Sequence, residues 1–75
     1  MKYRTSRGAL AALAENEGQT VYELLEACAM DSAGPGMCMS CGEVTESVEP
    51  DQREGHCESC GGPFVKSALV LAGLI

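Results

Sequence analysis

Positive charge is scarce in this chain. Five Lys and Arg stand against eleven Asp and Glu among 75 residues, a formal net charge of −6 at pH 7. Lys2, Arg4 and Arg7 lie ahead of Gly8, so only Arg53 and Lys66 remain in a body that carries every acid. Nucleic-acid binding leans on cations against phosphate, so an acidic body with a short basic arm is a poor match. The three basic residues lack interleaved aromatics and are expected as a solvated terminus rather than a groove-entering arm. No apolar run reaches the ~18–20 residues needed to cross a bilayer. Met1-Lys2-Tyr3-Arg4 leads into a polar, alanine-rich stretch without a secretory core, so the expected compartment is the cytoplasm. Histidine occurs once, at position 56. No Ser/His/Asp constellation, phosphate-binding glycine loop or His-Glu metal motif is present, and catalysis is not expected. Nothing in the sequence brings Cys28 and His56 together as a nucleophile and base.

What the chain does have is cysteine in a pattern. Cys38-Met39-Ser40-Cys41 and Cys57-Glu58-Ser59-Cys60 form two C-x2-C pairs separated by fifteen residues, each followed by glycine, Gly42 and Gly61. Two residues between thiols let both sulfurs turn onto one ion. Two such pairs supply a tetrahedral set with metal–sulfur distances near ~2.3 Å for zinc. The backbone of such a turn folds its N–H groups toward sulfur, and the next residue often needs positive φ, which glycine adopts freely. The expectation is one structural Zn²⁺ on Cys38, Cys41, Cys57 and Cys60. All-sulfur ligation also suits iron. A redox dithiol needs a βαβ setting and an electropositive helix N-terminus, and neither is seen. A disulfide framework belongs to oxidising compartments. Cys28 shares a helical face with Val21, Leu24 and Leu25 and is expected as a small buried apolar residue. His56 precedes a ligand pair whose four sulfurs already complete the shell; it is expected as a donor supporting the sulfurs or as a solvated strand residue.

Length makes the metal consequential. A chain of 75 residues buries only about 60–65% of its unfolded surface, so its apolar core alone is marginal. A structural zinc site contributes on the order of 10–16 kcal/mol of apparent binding free energy, against about 5–15 kcal/mol of net stability for a whole domain. Four thiolates around one Zn²⁺ would take the net charge to about −8.

Along the chain, Ser6–Asn16 is an alanine-rich helix candidate with Ala9, Leu10, Leu13 and Ala14 as its buried stripe, ended by Gly18. Thr20-Val-Tyr-Glu23 is a capping box opening a second helix that runs to about Met30. Ser32-Ala-Gly-Pro-Gly36 reads as a break and hinge. Val44 to Val48 alternates as a strand, Glu49-Pro50-Asp51 turns, and Arg53 to His56 is expected to return beside it. Val65 to Ile75, interrupted only by Lys66 and Ser67, is expected as an apolar terminal helix packed on the first two, with a homodimer or partner surface as the alternative use of that face.

Cys38-x-x-Cys41-Gly42, a short hairpin, then Cys57-x-x-Cys60-Gly61 resemble a zinc ribbon. Thr-Val-Tyr-Glu-Leu-Leu-Glu-Ala-Cys28, Val48-Glu-Pro-Asp-Gln-Arg-Glu-Gly and Val65-Lys-Ser-Ala-Leu-Val-Leu-Ala-Gly also look like small zinc-ribbon proteins of bacterial and phage genomes. That resemblance implies a compact metal-binding accessory protein and brings no biochemical activity with it. The expected fold is a small α+β single domain over 1–75. It comprises a helical pair in 1–31, a hinge at 32–36, a zinc-ribbon hairpin with two cysteine knuckles in 37–64, and a C-terminal helix in 65–75.

Three functional classes follow. The first is a non-catalytic regulator or adaptor working through protein–protein contacts, favoured by a closed all-cysteine shell with no position for a water nucleophile. The second is a nucleic-acid-binding regulator using the helical pair, opposed by Glu23 and Glu26 on a helix without Lys or Arg. The third is an acidic mimic of nucleic acid competing for a basic surface; ordinary solubilising charge explains the same acids. Whatever the class, stripping the metal with a chelator is expected to unfold at least the cysteine-bearing half, seen as a loss of cooperative melting by circular dichroism.

Overall fold

The computed structural model describes residues 2–30 and 33–75. Its elements are α1 (Ser6–Asn16), α2 (Val21–Met30), β1 (Gly34–Cys38), β2 (Val44–Val48), β3 (Val65–Ser67) and α3 (Ala68–Leu71). This is a small α+β arrangement: two N-terminal helices, an antiparallel three-stranded sheet in the order β2-β1-β3, and a short C-terminal helix.

The helices form where local chemistry starts and stops them. The Thr5 hydroxyl accepts from the Gly8 N–H and opens α1. The chain leaves α1 through paired bonds, from Gly18 N–H to Glu15 O and from Gln19 N–H to Ala14 O, the Schellman pattern that satisfies the last carbonyls. At α2 the capping box is reciprocal. The Glu23 N–H donates to the Thr20 hydroxyl at 3.1 Å, and the Thr20 N–H donates to the Glu23 carboxylate at 3.0 Å. The Thr20 N–H, and after it the Thr20 hydroxyl, hold the Glu23 carboxyl below its usual pKa. Ala9, Leu10, Leu13 and Ala14 of α1 meet Leu24 and Cys28 of α2 in one core. Leu13 and Leu24 are essentially solvent-free, each stabilising the fold on the order of 2 kcal/mol by burial.

Strand alternation in β1 decides which residues serve which side. Met37 joins the helical core, as does Met39 just past the strand, while Cys38 between them joins a second core with Cys57, Val48 and Val65. β1 therefore separates a helical layer from a layer in which cysteine and valine share the core.

Three sequence expectations are corrected. Gly34-Pro35-Gly36 is not a hinge but the first half of the central strand; Ser32, the first residue of the expected hinge, lies outside the described residues. Proline is tolerated there because the register with β2 shifts between Gly34 and Gly36, a bulge that removes the need for a ladder donor. Arg53 to His56 does not return beside β2. β2 pairs with β1, and the returning segment makes one bridge, Gly55 with Val65. Val65 to Ile75 is not one helix. Val65–Ser67 is β3, the Ser67 hydroxyl caps α3 by accepting from the Val70 N–H, and Gly73 in the left-handed region ends the element. Buried Ser67 also donates to the Pro50 carbonyl, tying the strand–helix junction to the loop after β2. As expected, α3 packs on both N-terminal helices. Ala68, Val70 and Leu71 are buried, and only Leu74 and Ile75 remain as large exposed apolar groups of that segment.

Gly36 is the tightest point of the sheet. A Cβ there would stand 2.8 Å from the Lys66 carbonyl oxygen and 2.8 Å from Val48 Cγ2. The carbonyl belongs to the neighbouring strand and cannot rotate away. Gly36→Ala is expected to cost about 1–3 kcal/mol as overpacking, read as a lowered denaturation midpoint with the m-value unchanged.

Candidate metal centre

Both cysteine pairs sit in loops closed by antiparallel pairing. The first loop joins β1 to β2 and is closed by Met37 opposite Val44. The second is closed by the Gly55–Val65 bridge, with bonds of 2.9 and 3.0 Å. β1 and β3 then set Cys38 directly opposite Val65, so the two loops stand side by side.

Within the loops the backbone repeats itself. Gly42 N–H donates to Cys38 O at 2.9 Å, and Gly61 N–H donates to Cys57 O at 2.7 Å. Cys38 N–H donates to Glu43 O, and Cys57 N–H to Gly62 O, both at 2.9 Å. The glycines have φ of 81° and 78°, the positive region anticipated for the residue after each pair. These are two copies of one knuckle.

The knuckles meet crosswise. Cys38 Sγ lies 3.6 Å from Cys60 Sγ, and Cys41 Sγ lies 3.5 Å from Cys57 Sγ. All four sulfurs fall within 4.8 Å of one another. A tetrahedron with zinc–sulfur bonds of ~2.3 Å has edges of about 3.8 Å. A disulfide would need about 2.05 Å. The spacing therefore fits four sulfurs around a metal ion and does not fit sulfur bonded to sulfur. The chemistry of the donor set is consistent with zinc.

The sulfurs are not equivalent electrostatically. The Cys60 N–H directed at Cys57 favours its thiolate; burial opposes, but the Cys41 thiol, the Ser59 N–H and the Cys60 thiol add to the first effect and bring Cys57 down to about 7. At Cys41 the Glu43 N–H favours the thiolate, yet desolvation and the sulfurs of Cys57, Cys38 and Cys60 outweigh it and push the thiol up to about 12. Four neighbouring thiols resist successive ionisation unless a cation shares the site.

Exposure is unequal too. Cys38 and Cys57 are buried, Cys41 is half-buried and Cys60 is exposed. The first knuckle has a cover that the sequence reading missed. Lys2 N–H donates to Ser40 O at 2.7 Å and Tyr3 N–H to Met39 O at 3.0 Å, so the expected solvated terminus is docked. The Lys2 side chain crosses the Gly42 backbone, with its ammonium 5.7 Å from the Tyr3 ring centre. No sequence pattern announced this docking, because it uses backbone groups. His56 is exposed and borders, with Glu43, Thr45 and Glu58, an open depression beside the second knuckle. Cys28 packs in the helical core, away from the four-sulfur cluster.

No family model, curated protein or solved structure matches this chain. The zinc-ribbon-like character rests on the cluster itself.

Cys41→Ser is expected to lower metal content and thermal stability together, checked by elemental analysis and melting of the same sample. Gly61→Ala isolates the knuckle's backbone requirement, because nothing lies within 4 Å of the added Cβ. The left-handed conformation alone should cost about 1–2 kcal/mol. Metal uptake should also release protons. Where the knuckles keep their shape before the ion enters, Cys57 with its thiol brought down to about 7 carries its proton below that value and loses it above. Protons released per ion should therefore fall as pH rises through that value, measured calorimetrically in buffers of different ionisation enthalpy.

Proposed function

We propose that this protein is a structural zinc-binding module, held by one Zn²⁺ on Cys38, Cys41, Cys57 and Cys60, that acts as a non-catalytic regulator or adaptor through protein–protein contacts. The observation that carries the metal reading is the crosswise approach of sulfurs from two identical knuckles, at 3.5 and 3.6 Å. Four thiolates saturate a tetrahedral ion, leaving no position at which a water could be activated. The layer around the cluster contains only Val48 and Val65 as further buried residues, so the ion takes the place of an apolar core.

The adaptor role is supported by what the surface offers. Tyr22 and Met30 on α2 are 76% and 84% exposed, and both residue types are favoured at protein interfaces. The same helix exposes Glu23 and Glu26 and carries no Lys or Arg, which opposes docking against phosphate. No helix of the described residues is long and apolar enough to cross a membrane.

The test is affinity capture with the zinc-loaded chain, read for both protein and nucleic acid. The expected result is a protein partner that is lost with Tyr22→Ser and retained when salt is raised. Recovery of nucleic acid alone, or binding to DNA or RNA that weakens steeply with salt, would overturn the reading.

A further inference from the structure

We infer that Cys60 is the modification site at which hydroperoxides attack this cluster, and that Cys38 resolves the attack into a disulfide between the two knuckles. The ion-release part of this inference rests on the zinc reading above; the order of attack and the pairing of sulfurs do not.

The basis is a difference between two otherwise matched knuckles. Each holds its cysteines with the same backbone bonds, but only the first is covered by a distant segment of the chain; the second has the Phe64 ring of its own loop against Gly62. Lys2 and Tyr3 are bonded to Ser40 and Met39, and the Lys2 side chain lies over Gly42. At the corresponding glycine of the second knuckle, Gly61, nothing lies within 4 Å of where a Cβ would stand. The consequence reaches the sulfurs: among the four, Cys60 alone is exposed, while Cys38 is fully buried. Accessibility and thiolate character together select which sulfur an oxidant meets first. A thiolate in a metal centre has the second property throughout, so exposure makes the choice.

The resolving sulfur follows from the crosswise geometry. Across the cluster, Cys38 Sγ of the first knuckle stands in contact with Cys60 Sγ at 3.6 Å. Reaching a bond of about 2.05 Å needs a movement of about 1.5 Å, within the freedom of an exposed loop. In the first step the Cys60 thiolate sulfur attacks one oxygen of hydrogen peroxide, the O–O bond breaks, and hydroxide leaves; Cys60 becomes a sulfenic acid. In the second, the Cys38 thiolate attacks the Cys60 sulfur, the S–O bond breaks, and a second hydroxide leaves. Two thiolates lose two electrons in all, and one peroxide gains them. The site is then left with Cys41 and Cys57 as its remaining thiolates, too few to retain a structural ion. Because Val48 and Val65 are the only other buried residues of that layer, the second loop loses its anchor.

The test uses the full chain without substitution, so a variant's folding does not enter. Reduced protein, as purified and with its fold checked by circular dichroism, is treated with limiting N-ethylmaleimide and mapped by peptide mass spectrometry. Cys60 should label first, at least about ten times faster than any other cysteine of the cluster. Substoichiometric hydrogen peroxide should then produce a Cys38–Cys60 disulfide, with one ion appearing on a chromogenic chelator per disulfide formed. First labelling at Cys41 or Cys57, or even labelling of all four, overturns Cys60 as the entry point. A disulfide within either pair, Cys38–Cys41 or Cys57–Cys60, or no disulfide at all, overturns the resolving step. If the reduced chain holds no zinc and still melts cooperatively by circular dichroism, the structural-metal reading fails, while labelling order and disulfide pairing on that folded chain still decide this inference.

Discussion

Four thiol sulfurs from two separate loops share a volume in which each lies within 4.8 Å of the rest. Without a cation this is an unfavourable neighbourhood for the thiolates that metal binding requires, as the elevation of Cys41 to about 12 makes plain. The peptide backbone supplies part of the compensation, through N–H groups directed at sulfur at both Cys57 and Cys41, and at Cys57 the net shift is downward. The cluster is one that could hold a metal ion, and much of the chain's architecture serves to bring the two loops together. β1 holds the first loop, the Gly55–Val65 bridge closes the second, and the pairing of Cys38 with Val65 sets them abreast.

Seen this way, the protein has two centres of cohesion back to back. One is an ordinary apolar core in which α1, α2 and α3 pack with Met37 and Met39. The other is a thin layer whose buried members are two cysteines, Cys38 and Cys57, and two valines, Val48 and Val65. β1 belongs to both, because successive side chains of a strand point to opposite faces. Its glycine at position 36 lets the neighbouring strands close to a spacing that no side chain would permit. Coupling between the centres runs through this strand and through buried Ser67, which caps α3 and holds the Pro50 carbonyl. Loss of the ion would therefore be felt first in the loops and then, through β1, in the helices.

Much of this was legible in the residues, for local reasons. The α1 stripe of Ala9, Leu10, Leu13 and Ala14 and the Thr20–Glu23 box depend on contacts within a few positions, and both appear as expected. The matched C-x2-C-Gly repeats likewise announced two equal turns. Reading failed where a residue's ordinary meaning was overridden by its neighbours in space. Pro35 and its flanking glycines resemble a break, yet a bulge admits them to the central strand. Val65 to Ile75 reads as one apolar run, but Ser67 and Gly73 divide it into a strand, one helical turn and a tail. The signals for that division, a capping serine and a terminating glycine, were present and were outweighed by hydropathy.

The sequence by itself determined the chemistry on offer: which residues could donate sulfur to a metal, that they come in two equal pairs, and that a glycine suited to positive φ follows each. Those facts are properties of spacing and of φ, and they need no partner elsewhere in the chain. Only the tertiary structure decided how the pairs meet, first cysteine of one against second of the other, and which of the four sulfurs faces solvent. Both outcomes depend on strand register and on the docking of Lys2 and Tyr3 through their backbones. Backbone groups are the same at every residue, so the identity of side chains could not reveal where they would bind.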